Sequence, residues 1–208
     1  MNDIIEFFRF LLNSEEIISV GGIILVTLIV YLENGFFFAF FLPGDYLLFL
    51  AGVFCSAEKI KVPIGLVVIY IVSAAFLGSF TGYFIGKFLG KNLESRKDTW
   101  YFKKEYLERS SLFFLKYGGR ALIAARFMPV IRTFSPLVVG MINMPVQRFA
   151  WYNFLGALAW GSSLPLLGYF LGEVFPQLAD YVEYIIFFFL AVTTFAVVRT
   201  YLSTRKKV

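Results

Sequence analysis

Arg126 and Arg132 lie six residues apart in a segment that is otherwise apolar. The planar guanidinium of arginine donates paired hydrogen bonds, stays charged at any working pH and matches the geometry of a phosphate. An arginine at mid-depth in a bilayer is costly unless it is paired or hydrated, so arginines in such a segment indicate a functional site. The chemistry that this spacing favours is the binding of a phosphorylated headgroup.

Two carboxylates, Glu33 and Asp45, fall in an apolar region in the first half of the chain. Buried charges require partners, and these carboxylates can neutralise the arginines when the site is empty. They are also candidates to carry a proton, which makes proton-coupled exchange conceivable. An alternative remains open, in which the ion pairs only hold parts of the fold together.

The composition is that of an integral membrane protein. Of 208 residues, 59% are hydrophobic and 16% charged, with 27 Phe and 12 Tyr. This length allows four to six inserted elements in one domain over residues 1–208, because each spanning helix needs about 20 residues. We expect an all-α membrane domain that does not bind nucleic acid.

Histidine is absent and Cys55 is the single cysteine. A zinc site, a histidine-based triad and an internal disulfide framework are therefore excluded or nearly so. Phosphoryl transfer would also need a nucleophile paired with a base, and the chain offers none. We expect a protein that is not an enzyme and that binds neither metal nor cofactor.

Two apolar segments, about 35–55 and 120–141, are interrupted by proline. Pro43, Gly44 and Asp45 lie at the centre of the first, and Pro129 and Pro136 lie in the second. Proline removes a backbone donor, and a straight spanning helix would leave polar groups unsatisfied in lipid. These segments predict two re-entrant helical hairpins, although a kinked full span with a buried aspartate is an alternative for the first.

Continuous apolar runs predict transmembrane helices at about 17–33, 63–88, 149–172 and 181–200. Between the second and third, residues 87–120 contain nine Lys/Arg and four Asp/Glu, a balance of 9 − 4 = +5. Residues 94–117 within this segment predict an amphipathic cytoplasmic segment on the membrane surface. The positive-inside rule then places both termini in the cytoplasm of a multi-pass protein.

Short matches recur at an offset of 86. They pair Phe41-Leu42-Pro43 with Phe127-Met128-Pro129, and the segment 82–86 with 168–172. A hairpin contributes no crossing and a span contributes one, so the second copy enters from the opposite face. The prediction is an inverted repeat of re-entrant hairpin plus transmembrane helix, flanked by further transmembrane helices, as in transporters with a site near the midplane.

Further polar residues near the arginines are candidates for supporting hydrogen bonds: Asn34, Arg120, Thr133 and Ser135. Helix capping is the commoner role for residues such as asparagine, threonine and serine.

Several motifs together resemble those of the DedA family of bacterial inner-membrane proteins, relatives of the eukaryotic VTT-domain lipid scramblases. They are Glu33 followed by F-L-P-G-D, Ala51-Gly52, the G-G-R at 118–120, and R-F-M-P-V-I-R-T-F-S-P-L-V-V-G-M from Arg126. The likeness covers roughly residues 15–200. The sequence departs from the pattern at Asp45, where members often have glutamate, and at Val139, where they often have alanine.

This resemblance implies a lipid transporter of the bacterial cytoplasmic (inner) membrane. Several members are implicated in returning undecaprenyl phosphate, the carrier lipid of wall synthesis, across that membrane. The family's functional acidic pair carries over to Glu33 and Asp45, and its arginine pair to Arg126 and Arg132. The partners implied are a lipid with a phosphate headgroup and protons.

Other functions remain compatible with the sequence. One is a flippase or scramblase for a phospholipid such as phosphatidylethanolamine, and another is a proton-coupled transporter of small ions or drugs. A purely structural membrane partner would leave the buried charges unexplained. The residues do not identify the lipid or decide whether the chain forms a homo-oligomer.

Overall fold

The computed structural model describes residues 14–36, 39, 44–94, 112, 114, 117–181, 184–185, 187–189, 191–192 and 194. Regular structure in this part of the chain is helical, without a strand, which confirms the predicted all-α class. The principal elements are α1 (Ser14–Gly35), α2 (Gly44–Ser56), α3 (Ile64–Glu94), α4 (Arg120–Ala125), α5 (Pro129–Met141), α6 (Val146–Val174) and a short 3₁₀ helix (Pro176–Asp180).

Two of the described helices are long and apolar enough to cross a bilayer. The qualifying segments are Ile64–Gly90, of 27 residues, and Val146–Val174, of 29 residues. Both exceed the roughly 20 residues that a crossing requires. Large apolar side chains on α3, such as Ile69 and Leu77, are more than half exposed, as expected of a face that contacts lipid.

Helix α1 is interrupted at Gly22, whose backbone is non-helical with φ 54° and ψ −148°. The interruption falls inside the predicted span 17–33, and the apolar part Gly22–Gly35 is shorter than a full crossing. Pro43, at the predicted break of the first hairpin, lies outside the described residues, whereas Asp45, the predicted tip, lies in the first turn of α2. Most of the amphipathic segment 94–117 and of the span 181–200 also lies outside the described residues.

The chain divides into two compact units. The first unit comprises Met1–Val30, Phe41–Val72 and Gly161–Val208, and the second unit comprises Tyr31–Phe40 and Ser73–Trp160. Helix α2 therefore belongs to the first unit, and α4 and α5 belong to the second.

In the second unit, α5 packs closely against α3 because glycines leave their backbones bare. A β-carbon at Gly86 of α3 would overlap the backbone of Leu137, and one at Gly140 of α5 would overlap the carbonyl of Tyr83. Small residues of this kind allow helix backbones to approach each other in membranes. The short helix after the Pro129 break is thereby held along the long helix α3.

The first unit shows the same arrangement between α2 and the later part of α6. A β-carbon at Gly168 would overlap the carbonyl of Phe49, and one at Gly52 would overlap the carbonyl of Pro165. The 3₁₀ helix also contacts α2. Each short helix therefore packs on a long helix that does not follow it directly in the chain.

The two packings correspond residue by residue, although not at the offset of 86 that the sequence matches indicate. On the long helices Gly168 takes the place of Gly86, an offset of 168 − 86 = 82. On the short helices Gly140 takes the place of Gly52, an offset of 140 − 52 = 88. The packing repeat is real, but its register on the long helices differs by one helical turn.

Candidate anion-binding site

The buried polar and charged residues are concentrated in the second unit. Among the described residues, every buried charged side chain, and every buried serine, threonine or asparagine, lies there: Glu33, Asn34, Ser79, Arg126, Arg132, Thr133, Ser135 and Asn153. This set contains two guanidiniums and one carboxylate. Its described charges therefore sum to 2 − 1 = +1 inside an apolar environment.

The end of α1 is tied to α3, and this contact positions Glu33. The hydroxyls of Tyr31 and Thr81 lie 2.8 Å apart in a hydrogen bond. Gly78 of α3 approaches so closely that a β-carbon there would lie 2.5 Å from the carbonyl oxygen of Tyr31. The carboxylate of Glu33 is consequently held in the interior, with 1% of the residue exposed.

Arg132 forms an ion pair with that carboxylate. Its Nη2 donates to Oε1 of Glu33 in an ion pair, and both side chains are almost completely buried. The ring of Trp160, from α6, lies against the guanidinium with 4.6 Å from Cζ to the ring centroid. A face-on aromatic ring adds cation–π attraction to the ion pair. The charge of Arg132 is thus compensated by this chain's own residues.

The connection between α4 and α5 positions Arg126. Helix α4 ends at Ala125, and the backbone N–H of Arg126 still bonds to the carbonyl of Ile123 at 3.3 Å. Met128 is extended, with φ −114° and ψ 107°, and Pro129 begins α5. Proline suits that first position because it needs no backbone donor there. The break predicted from Pro129 therefore separates the two arginines, with Arg126 directly after α4 and Arg132 in the first turn of α5.

Arg126 is 95% buried, and its described hydrogen bonds go to neutral acceptors. Its Nη2 donates to Oγ of Ser79 at 2.7 Å, to the carbonyl of Ala75 at 3.3 Å and to Oδ1 of Asn153. Its Nη1 is buried and makes no hydrogen bond in the structure. A buried cation with only neutral partners is under-compensated, so an anion bound beside it would be stabilised.

The neutral partners are themselves oriented by α3. The hydroxyl of Ser79 donates to the carbonyl of Ala75 at 2.9 Å, which turns a lone pair toward Arg126. The Nδ2 of Asn153 donates to the carbonyl of Phe76 at 3.1 Å, which turns Oδ1 toward Arg126. The guanidinium is therefore met by acceptors whose directions are already set.

Gly156, one turn after Asn153 on α6, provides space for the side chain of Arg126. A β-carbon at Gly156 would lie 2.9 Å from Cδ and 3.1 Å from Nε of that arginine. One face of α6 thus contacts both arginines, through Asn153 and Gly156 at Arg126 and through Trp160 at Arg132.

The other predicted residues of the second unit take different places. Asn34 and Thr133 are buried, whereas Arg120 is exposed. The hydroxyl of Ser135 donates to the carbonyl of Ile131 in its own helix at 2.6 Å. Pro136 lies inside α5, where it has no backbone N–H to donate to the carbonyl of residue 132.

Asp45 belongs to the first unit, in the first turn of α2 after the buried Gly44, and its side chain is half-buried. By the offset of the short helices, Asp45 corresponds to Thr133 (133 − 45 = 88) and Gly44 to Arg132 (132 − 44 = 88). The packing repeat therefore does not repeat the chemistry, because Arg132 has no basic counterpart on α2.

Four residues of the site were not predicted from the sequence: Ser79, Asn153, Gly156 and Trp160. Asn153 had a detectable signal, since an amide inside an apolar span needs a hydrogen-bond partner. Trp160 lies seven positions after Asn153, two helical turns along the same face. Ser79 and Gly156 resemble the many small residues that only serve helix packing.

Comparison with known proteins gives consistent matches. The VTT domain family model matches residues 42–170. The protein named DedA of Escherichia coli is 37% identical over 162 residues, which cover 78% of this chain and 74% of that protein. An uncharacterized membrane protein of Mycobacterium tuberculosis is 40% identical over 149 residues, covering 72% and 65%. The inner membrane protein YqjA of E. coli is 34% identical over 145 residues, covering 70% and 65%. No solved structure matches the chain.

Proposed function

The chain belongs to the VTT-domain family of membrane proteins, the DedA family, and on that premise we propose that it moves a phosphorylated lipid across the bacterial cytoplasmic membrane. The lipid we propose is undecaprenyl phosphate, and the activity is transport, not an enzymatic reaction. The observation that supports this most is Arg126, a buried cation whose described acceptors are all neutral.

A phosphate monoester suits this environment. Its oxygens accept charge-assisted hydrogen bonds from a guanidinium, and its negative charge offsets the excess positive charge of the buried set. The long apolar chain of the lipid can remain in the bilayer while the headgroup occupies the protein. Such a site lowers the cost of taking the charged headgroup through the apolar layer.

The membrane arrangement that we propose is an inverted repeat. Segments 35–55 and 120–141 form re-entrant hairpins that enter from opposite faces, and both termini lie in the cytoplasm. The corresponding packing of α2 on α6 and of α5 on α3 supports a duplicated unit. Inverted repeats place their broken helices near the midplane, where a translocated headgroup must pass.

Glu33 and Asp45 are the proposed proton carriers. Glu33 already opposes Arg132, so its protonation would change the charge balance beside the headgroup site. Asp45 lies on the helix that corresponds to α5, where a charge change would act on the other half of the repeat. Exchange of a proton for a lipid anion would link transport to the proton gradient.

The proposal is tested by binding to the purified protein, with undecaprenyl phosphate as ligand and undecaprenol as the control that lacks the phosphate. We expect the phosphorylated lipid to bind at least about tenfold more tightly, as one to two charge-assisted hydrogen bonds supply. Arg148→Ala is a control variant, because it removes an exposed charge outside the site and should keep the preference for the phosphorylated lipid.

Transport is then measured in liposomes, where wild type should accelerate the movement of undecaprenyl phosphate between leaflets. Equal binding of the two lipids by wild type would reject the phosphate-dependent function. Faster movement of phosphatidylethanolamine than of undecaprenyl phosphate would identify a phospholipid scramblase instead. Proton flux without any lipid would favour a small-ion or drug transporter.

A further inference from the structure

We propose that the two arginines have different tasks, resting on the proposed function: Arg126 binds the phosphate, Ser79 and Asn153 position it, and Arg132 stays paired with Glu33. The two guanidiniums belong to the same unit and both are 95% buried. Burial therefore does not distinguish them. Their partners do.

The charge of Arg132 is compensated by an ion pair and by stacking. This compensation of charge separates it from Arg126, and the hydrogen-bond count does not, because Nε of Arg132 is also a buried donor without a described acceptor. The carboxylate of Glu33 opposes the guanidinium of Arg132, and the ring of Trp160 covers it at 4.6 Å from Cζ. An anion that bound to Arg132 would have to displace that carboxylate or lie beside it. Either event would bring two negative groups together or leave one buried without compensation, and both are unfavourable.

Arg126, by contrast, has no carboxylate among its described hydrogen-bond acceptors. All of its described hydrogen bonds leave from Nη2, toward Ser79, Ala75 and Asn153. Nη1 is buried and has no acceptor among the residues that the structure describes. A guanidinium donates from both Nη atoms, so half of its fork remains to bind phosphate oxygens. The arrangement holds one side of the guanidinium in the protein and leaves the other side to a ligand.

Ser79 and Asn153 act through Arg126, and so they are positioning residues. Each is fixed by a second bond to a carbonyl of α3, at 2.9 Å from Ser79 Oγ to Ala75 and at 3.1 Å from Asn153 Nδ2 to Phe76. Neutral acceptors hold the guanidinium without cancelling its charge. A carboxylate in the place of Asn153 would hold it equally well but would remove the electrostatic reason for an anion to bind.

This contrast defines the decisive variant, Asn153→Asp, which has nearly the same shape as the native residue. We expect it to fold with unchanged or higher thermal stability, because Arg126 gains a counter-ion. We also expect its preference for undecaprenyl phosphate over undecaprenol to fall to about one, since the anion site is already neutralised. A residue with only a structural role would change stability and binding in the same direction.

Asn143→Asp is the matched control, because Asn143 is exposed in the link between α5 and α6. It introduces the same charge by the same substitution and should keep the wild-type preference. For the serine, Ser79→Ala should lower the preference several-fold by removing one acceptor. Ser73→Ala, at an exposed serine of the same helix, should not change it.

Two further variants separate the arginines. Arg126→Gln should lose about tenfold or more of the preference for the phosphorylated lipid, whereas the charge-balanced double variant Glu33→Gln with Arg132→Gln should keep it within about threefold. Should the double variant fail to fold, Arg132→Lys retains the charge opposite Glu33 and must keep the preference.

Inorganic phosphate serves as a second probe, to distinguish recognition of the phosphate group from recognition of the whole lipid. Displacement of undecaprenyl phosphate by inorganic phosphate in wild type, reduced in Arg126→Gln, supports the assignment to the phosphate group at Arg126. Displacement that is equal in both proteins overturns it.

The two proposals fail separately. If wild type shows no preference for the phosphorylated lipid, the transport of a phosphorylated lipid is rejected and this inference with it. If wild type shows the preference, the inference alone is overturned by a folded Asn153→Asp or Arg126→Gln variant that retains it. Loss of the preference in a folded Arg132→Lys variant would overturn it as well.

Discussion

Glu33 and Arg132 are 99 positions apart in the chain and form an ion pair whose side chains are 1% and 4% exposed. Glu33 lies near the end of α1, and Arg132 lies in the first turn of α5. The pair therefore joins elements from distant parts of the chain within the second unit. The ion pair is important for folding because removal of either partner leaves the other charge buried without compensation.

A double-mutant cycle on this pair should show strong coupling. Glu33→Gln and Arg132→Gln should each lower the free energy of unfolding by about 3–5 kcal/mol, because each leaves the other charge buried and unpaired. The double variant removes both charges and should cost clearly less than the sum. The measurement is denaturant unfolding in detergent micelles, and additive single effects would contradict the buried pair.

Trp160 should stabilise Arg132 through its ring face. Trp160→Leu removes a buried aromatic ring, which is 2% exposed, together with the cation–π contact, and should cost a large part of the ~3–5 kcal/mol of unfolding free energy that truncation of a buried tryptophan to alanine costs. Trp160→Phe keeps an aromatic face and should recover part of this loss, since cation–π contacts contribute about 0.5–2 kcal/mol.

Trp151 is the matched control for this prediction, because it lies on the same helix and is 61% exposed. Trp151→Leu should change the unfolding free energy by no more than about 0.5 kcal/mol. Equal losses at positions 151 and 160 would mean that the contact with Arg132 has no special weight.

The helical class and the chemistry of the arginine segment could be predicted because they depend on local patterns. Continuous apolar runs of sufficient length indicated the helices that became α3 and α6, and Pro129 indicated a break that is present between α4 and α5. The buried arginines required compensation, and Glu33 provides it for Arg132. These inferences needed composition, spacing and the cost of burying charge.

The partners of Arg126 could not be predicted, because they depend on how helices pack. Ser79 and Asn153 lie 47 and 27 positions from Arg126, and no local pattern connects them. The register of the repeat could not be predicted from the sequence either. Glycines recur every four residues on α3, at 78, 82, 86 and 90, so a shift of one turn places a glycine on a glycine. Residue identities alone therefore cannot distinguish an offset of 82 from an offset of 86.

Gly156→Ala tests whether space beside Arg126 is needed for binding. The added β-carbon would lie 2.9 Å from Cδ of Arg126, so the side chain must move away from Ser79 and Asn153. We expect the preference for undecaprenyl phosphate over undecaprenol to fall about tenfold, the size of one charge-assisted hydrogen bond. The measurement is the pair of lipid dissociation constants.

Gly65→Ala is the control, because a β-carbon at Gly65 meets nothing within 4 Å. Alanine favours a helix over glycine by about 1 kcal/mol at either position, so helix propensity alone predicts no loss of stability. Unchanged lipid preference in Gly156→Ala would show that Arg126 binds no headgroup in the position that the structure gives it.

The inverted repeat makes a prediction about membrane sides. Glu58 follows the first broken segment and Asn143 follows the second, and both are exposed. If both segments are re-entrant and enter from opposite faces, the two links lie on opposite sides of the membrane. Gln177, exposed beyond the far end of α6, then lies on the same side as Glu58.

Single cysteines test this arrangement in a Cys55→Ser background, which lacks any other thiol. We expect Glu58→Cys and Gln177→Cys to react with a membrane-impermeant maleimide added to intact cells, and Asn143→Cys to react only after the membrane is opened. If both broken segments instead crossed the bilayer completely, Glu58 and Asn143 would share the cytoplasmic side. Protection of both cysteines in intact cells would therefore replace the re-entrant hairpins with full spans, because a first segment that crosses moves Glu58 to the cytoplasmic side, whereas two crossings leave Asn143 there.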